Sequence, residues 1–253
     1  VGAYKDGDGV NEGNVLNNAG SAYIFERQDN DEWMEVQKIV ASDREADDTY
    51  GKEVDISGTY AVIAANLEDH EPGDGTSISA TGAAYIYEKQ SDDTWKEVQK
   101  ITASDGTKFD QFGSSVSIHG NRALIGARFD HDNASGDNSM ADAGSAYLFE
   151  RNEEGTWSEV KKTVASTRKN DAEFGYDVAL FDEFGILAAP GEDQNGAGAA
   201  YVFGPACVNT TSSITVTACG EYVLPSGSDT VIHTGTYTDV IPNSAGCDSI
   251  ITI

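Results

Sequence analysis

Four acidic stretches hold most of the residues here that could do chemistry. They read Asp6-Gly7-Asp8-Gly9-Val10-Asn11-Glu12, Glu68-Asp69-His70-Glu71, Asp130-His131-Asp132-Asn133 and Glu192-Asp193. Residues 6, 68, 130 and 192 occupy one repeat position, and all four are acidic. Converging carboxylates are the material of a calcium site, which gathers about six to eight oxygens at ~2.4 Å. Asp6, Asp8 and Asn11 have the spacing of hard-ion ligands. Glu68, Asp69, Asp130, Asp132, Glu192 and Asp193 complete the candidate set. The full calcium-loop pattern, with its closing bidentate carboxylate, is not matched. The structural alternative is a set of solvated turn carboxylates bonded to local backbone.

Other chemistry is sparse. His70, His119, His131 and His233 stand at unrelated positions, none with metal-pair spacing or beside a nucleophile motif. Acidic pairs are frequent, as expected with 43 acidic residues, so they single out no acid and base. No constellation meets the requirements of an active site, and the expectation is a non-enzyme that requires no cofactor, with calcium as an optional ion.

The acidic stretches sit in a repeat. Trp33, Trp95 and Trp157 are 62 residues apart, as are Tyr23, Tyr85 and Tyr147. Tyr50-Gly51, Phe112-Gly113 and Phe174-Gly175 keep the same step, and Tyr201 comes eight residues early. A fixed period whose length changes in one loop marks stacked supersecondary units. Each unit supplies four strand candidates, typified by Glu53 to Ile56, Ala61 to Ala65, Ala84 to Tyr87 and Trp95 to Thr102. The second is a continuous apolar run suited to burial on both faces, and the fourth mixes apolar residues with charges. Lys38, Lys100 and Lys162 share one position on this fourth strand, where lysine protects an exposed edge. Tyr50, Phe112 and Phe174 are expected to insert their rings between neighbouring units. Trp33, Trp95 and Trp157 read as packing residues, with sugar stacking as the alternative. Val54, Val116 and Val178 should occupy equivalent buried positions.

Phe112-Gly113, Gly126-Ala127, Ala188-Ala189-Pro190 and the Gly-Ser-Ala-Tyr runs at 20–23 and 144–147 resemble the FG-GAP repeat family, best known from the propeller of integrin α chains. The resemblance covers residues 1–204. It implies an all-β fold of four-stranded antiparallel β-propeller blades, part of a seven-bladed ring, and an extracellular role in adhesion or recognition. Calcium-binding members carry an Asp-rich loop between the first two strands of a blade. Here that loop is only Ser57-Gly58-Thr59, His119-Gly120-Asn121 or Asp182-Glu183, so the family's metal site does not carry over. The first unit lacks its first strand and the last its fourth. Val1-Gly2-Ala3 aligns with Gly126-Ala127 inside a strand, so residue 1 is expected to lie within a domain.

Residues 205–253 differ in composition. From Cys207 onward they contain no Lys or Arg and are dense in Thr and Ser. Short strand-like runs alternate with turns at Pro225-Ser226-Gly227 and Pro242-Asn243-Ser244. This tail is similar to the Cys-containing tandem β modules of giant secreted bacterial surface proteins. Three cysteines confined to it point to an oxidising compartment. Cys219 and Cys247 are the expected disulfide, and Cys207 is the odd one, either free or an alternative partner for Cys219. A bridge would stabilise so small a core.

The formal net charge of −27 argues against nucleic acid or an anionic membrane as partner. No apolar run approaches the ~20 residues of a membrane-spanning helix. The reading is a secreted or cell-surface segment that meets an extracellular protein or glycan, or further copies or segments of its own polypeptide. A calcium-dependent recognition domain and an accessory domain of a secreted hydrolase are the alternatives.

Overall fold

The structure is a computed structural model that describes residues 1–10, 15–69, 79–133, 140–192, 197–204, 210–216, 221–227, 230–233, 235–242 and 248–253. It divides into two compact units, Val1–Phe203 and Gly204–Ile253. Among the described residues it is all-β, without a helix, and so none is long and apolar enough to cross a membrane.

The larger unit consists of four sheets. The first contains β1 (Gly2–Ala3), β2 (Ser21–Arg27) and β3 (Trp33–Ile39). The second contains β4 (Val54–Ser57), β5 (Tyr60–Ala65), β6 (Ala83–Lys89) and β7 (Trp95–Ile101). The third contains β8 (Phe112–His119), β9 (Arg122–Ala127), β10 (Ser145–Arg151) and β11 (Trp157–Thr163). The fourth contains β12 (Val178–Phe181), β13 (Phe184–Ala189) and β14 (Ala199–Phe203). Every pairing in these sheets is antiparallel between strands consecutive in sequence. Identical register shifts recur at Ile24/Phe25, Ile86/Tyr87 and Leu148/Phe149, so the 62-residue repeat extends to its bulges.

Successive sheets are joined face to face by apolar clusters. Phe112 packs with Val62, Ala64 and Ile86 of the second sheet and with Tyr147 of its own. Tyr50, Phe112 and Phe174 are buried and meet Tyr85, Tyr147 and Tyr201 edge-on at 5.3, 5.5 and 5.1 Å. Such T-shaped contacts match ring edges to ring faces. Gly113, at φ +88°, holds a left-handed conformation in which a Cβ would approach the carbonyl oxygen of Ala83 within 2.8 Å. Glycine is therefore required beside the inserted ring.

Polar groups lock the outer strands together. Gln37 exchanges hydrogen bonds with the main chain of Trp95 at 2.8 and 2.7 Å, and Gln99 does the same with Trp157 at 2.7 and 2.9 Å. At the inner strands Ser117 Oγ and the Ile118 amide donate to Asp55, while Ser117 Oγ accepts from the Leu180 amide.

Two packing expectations need correction. Trp95 and Trp157 are buried, but Trp33 is 66% exposed. Trp157 meets Tyr60 of the preceding sheet at 5.6 Å, and Trp33 has no preceding sheet among the described residues. Likewise Val116 and Val178 are 9% and 7% exposed, whereas Val54 is 36% exposed. Val54 opens onto a cavity of about 530 Å³ shared with Val1, Phe25 and Trp33, beside a first sheet that has only three strands.

The smaller unit is built from short strands: β15 (Thr210–Ser213), β16 (Tyr222–Val223), β17 (Thr230–Val231), β18 (Thr238–Pro242) and β19 (Asp248–Thr252). β19 pairs parallel with β15 and antiparallel with β18, and β16 pairs with β17. Asp239 accepts from the Ser226 amide at 2.7 Å, fastening the turn before β17 to β18. Cys207, Cys219 and Cys247 lie outside the described residues.

Candidate functional site

Each acidic stretch joins the strands equivalent to the second and third of a full blade, β1 to β2, β5 to β6, β9 to β10 and β13 to β14. The connection that enters the sheet runs alongside: Phe109 and Gln111 donate amide hydrogen bonds to the carbonyls of Ser79 and Ala80. Backbone geometry therefore gathers acidic residues from two loops around the third-strand tyrosine and the fourth-strand lysine.

In the third sheet Lys162 Nζ stands 2.6 Å from Asp105 and 2.7 Å from Asp130. The Tyr147 hydroxyl lies 2.8 Å from Asp105 and 2.7 Å from Asp130. The second sheet repeats this knot with Lys100, Asp43, Glu68 and Tyr85, its ion pairs measuring 2.8 and 3.2 Å. In the first, Lys38 pairs with Asp6 at 2.8 Å, and Ser21 and Tyr23 donate to the same carboxylate. Among the described residues the fourth sheet has no fourth strand, and Lys169 from its entering connection takes the role, 3.5 Å from Glu192.

Burial makes these pairs consequential. The side chains of Lys162 and Asp130 are only 7% and 2% exposed. Burial alone would lower the lysine pKa, but hydrogen bonds to Asp105 and Asp130 outweigh it and hold Lys162 above its ordinary value. Lys100 is raised in the same way by Asp43 and Glu68. Burial pushes the Tyr85 and Tyr147 phenols far up, reinforced by the adjacent carboxylates, so both act as neutral donors.

Several expectations change accordingly. Lys38, Lys100 and Lys162 are inward-facing partners of the loop carboxylates, not edge protection. Asp6, Glu68, Asp130 and Glu192 are structural carboxylates, not solvated turn residues; the Asp8 and Asp132 amides, donating to the carboxylates of Asp6 and Asp130, keep the turn geometry. Asn11 and Asp193 lie outside the described residues. The structure adds Asp48, missed in the sequence, whose carboxylate comes together with Glu68 and Asp69 so that one oxygen of each lies within 4.8 Å of the others. Asp48 is buried, and burial together with Glu68 pushes it up to about 7. Its counterpart Asp110 is also raised to about 7, by burial first and then by Asp130. Lysine pairing and a retained proton are how this fold neutralises its buried acids.

The profile of the FG-GAP repeat matches residues 33–87, 95–149 and 157–203. No curated protein matches the chain. The three matches each begin at a tryptophan of the outer strand and run through the next inserted ring and third-strand tyrosine, the same landmarks that organise the knots. They span more than half of the sequence, and the chain therefore belongs to the FG-GAP repeat family.

Proposed function

We propose that this chain is a non-enzymatic segment of a large extracellular surface protein, serving in adhesion or as a structural part of an extracellular appendage. The observation that carries the reading is the run of FG-GAP repeats, a type typical of extracellular proteins. The interior supports it: the recurring Lys, Asp and Tyr groups are consumed in holding blades together. In this reading further blades complete a seven-bladed propeller, and a Cys219–Cys247 bridge staples the Thr/Ser-rich tail. The partner is an extracellular protein or glycan, or other parts and copies of the same polypeptide. Nucleic acid and membrane insertion have no place in it, given the charge of −27.

A second reading, calcium-dependent recognition, draws on the approach of Asp48, Glu68 and Asp69. Extracellular modules bind calcium at about 0.1–1 mM, so a modest site would be filled there. Calcium would have to displace Lys100 from Glu68.

Surface labelling and protease shaving of intact source cells, with an adhesion assay on a deletion strain, test the main reading. It expects an accessible protein whose loss lowers adhesion. Confinement to the cell interior, with unchanged adhesion, contradicts it.

A further inference from the structure

The knot of the fourth blade is unfinished. In the second and third blades Glu68 and Asp130 each meet the outer-strand lysine and the third-strand tyrosine hydroxyl. Glu192 holds the same place, and one of its carboxylate oxygens meets Thr167 at 3.2 Å and Lys169 at 3.5 Å. The other, Oε2, is buried without a hydrogen-bond partner among the described residues, on a side chain only 9% exposed. Lys169 is a half-exposed stand-in that also donates to the Glu192 carbonyl. Tyr85 and Tyr147 are fully buried, whereas Tyr201 is partly exposed. An under-paired buried carboxylate is costly, and in the other blades an outer-strand lysine relieves it.

Two more partners of a fourth strand stand ready. The outer-strand glutamates Glu97 and Glu159 accept from the amide and hydroxyl of Ser42 and Ser104. Ser166 holds this position before the fourth sheet, with no outer strand among the described residues to bring it a glutamate. β14 pairs there with β13 alone, so one row of its main-chain groups faces an open edge.

The chain's own continuation is not suited to this edge. Counting on from Tyr201 as in the other blades puts Ser213 and Val216 in the places of the glutamate and the lysine. Thr210–Ser213 instead form β15 and pair with β19. No lysine occurs from Cys207 onward. The strands that do carry the right residues, β3, β7 and β11, are held in their own sheets.

We propose that the free edge of β14 is a docking site for an extended, lysine-bearing segment of a partner protein, added as the fourth strand of the blade. Main-chain hydrogen bonds supply the general affinity, and two side chains supply selection. The complete blades set the register. Tyr85 and Tyr147 lie opposite Lys100 and Lys162, and Tyr87 and Phe149 lie opposite Glu97 and Glu159. The docked strand therefore places its lysine opposite Tyr201, toward Glu192, and its glutamate opposite Phe203, toward Ser166. A segment without lysine leaves Glu192 under-paired, so the edge discriminates by charge. The formal charge of −27 favours the approach of a cationic segment. This inference rests on the proposed extracellular binding role and names the partner's chemistry.

A fluorescein-labelled peptide copying residues 94–103, which contains the outer strand of the second blade, tests the edge by anisotropy against the full chain. It should bind with a dissociation constant of about 100 μM or tighter. Lys100→Met in the peptide should weaken binding about tenfold or more. Hydrogen exchange should show new protection at Ala199–Phe203 and at no other sheet edge. A Glu192→Gln chain should bind both peptides alike. The peptide variant leaves the chain untouched, so the test does not depend on that substitution folding. No binding at about 1 mM, equal binding of the Lys100→Met peptide, or protection at another edge would overturn the proposal. So would protein from source cells that refuses the peptide while the 253-residue chain binds it, because the edge is then filled within its own polypeptide. Any of these beside intact surface exposure and adhesion rejects this site while leaving the broader reading standing.

Discussion

Lys162 and Asp130 form an ion pair of 2.7 Å inside the third blade, one from the outer strand and the other from the loop before the third strand. A buried pair costs desolvation of both charges, and its attraction offsets this only when geometry and additional hydrogen bonds are good. Here Tyr147 and Asp105 supply them. Two loops, two strands and one lysine are thereby fixed to one another, and the second blade repeats the arrangement.

The three tryptophans share a sequence position but should respond differently to truncation. Trp157 is 2% exposed and Trp33 66% exposed. Trp157→Ala is expected to cost about 3–5 kcal/mol, and Trp33→Ala about 0.5 kcal/mol or less in the same chain. Chemical denaturation of the two variants checks this. Equal losses would mean that the first blade is packed as the third is.

Glycine at the blade contact should be indispensable. A Cβ at Gly126 would overlap the carbonyl oxygen of Gly175 and the hydroxyl of Ser115 in a neighbouring blade and strand. Gly126→Ala is expected to cost about 3 kcal/mol or more, because the backbones must separate. At Gly120, a turn at φ +58° with nothing within 4 Å of such a Cβ, alanine should cost only about 1 kcal/mol of conformational strain. Thermal unfolding of both variants compares the effects, and a tolerated Gly126→Ala would refute the close approach.

Much of this was legible because packing residues recur. A ring, a glycine and a tyrosine at a 62-residue step reveal the repeat, since every internal junction needs the same shapes. The environment of a charge was not legible. Lysine on an outer strand reads as solvent-facing, and only joint recurrence hints otherwise: Lys100 and Lys162 accompany Asp43 and Asp105, whereas the last unit has Thr167 in place of the aspartate. Trp33 and Val54 were misjudged because repeat position alone does not specify a neighbour.

Stability should fall as pH rises through neutrality. Asp48, with a folded pKa of about 7 against an ordinary 3.8, binds its proton more tightly when folded. The contribution is fully present below the ordinary value and lost as pH climbs through about 7. Asp110 adds the same slope. Asp43 is lowered, with Lys100 and Tyr85 outweighing burial, so its contribution is lost on the acid side below its ordinary 3.8. Between pH 5 and 8 the first effect dominates. Asp48→Asn should flatten the decline and raise stability at pH 8 by about 1–3 kcal/mol. Urea unfolding at both pH values reads it, and an unchanged slope would show that Asp48 keeps no proton.

The pairing of loop carboxylates with outer-strand lysines is tested most directly by a double-mutant cycle on Lys162→Met and Asp130→Asn, followed by chemical denaturation at pH 7. Lys162→Met alone leaves Asp130 buried beside Asp105 and should cost about 3–5 kcal/mol. The double variant should recover part of that loss, with a coupling of at least about 1 kcal/mol. Additive single effects, or a Lys162→Met variant as stable as the parent, would contradict the account.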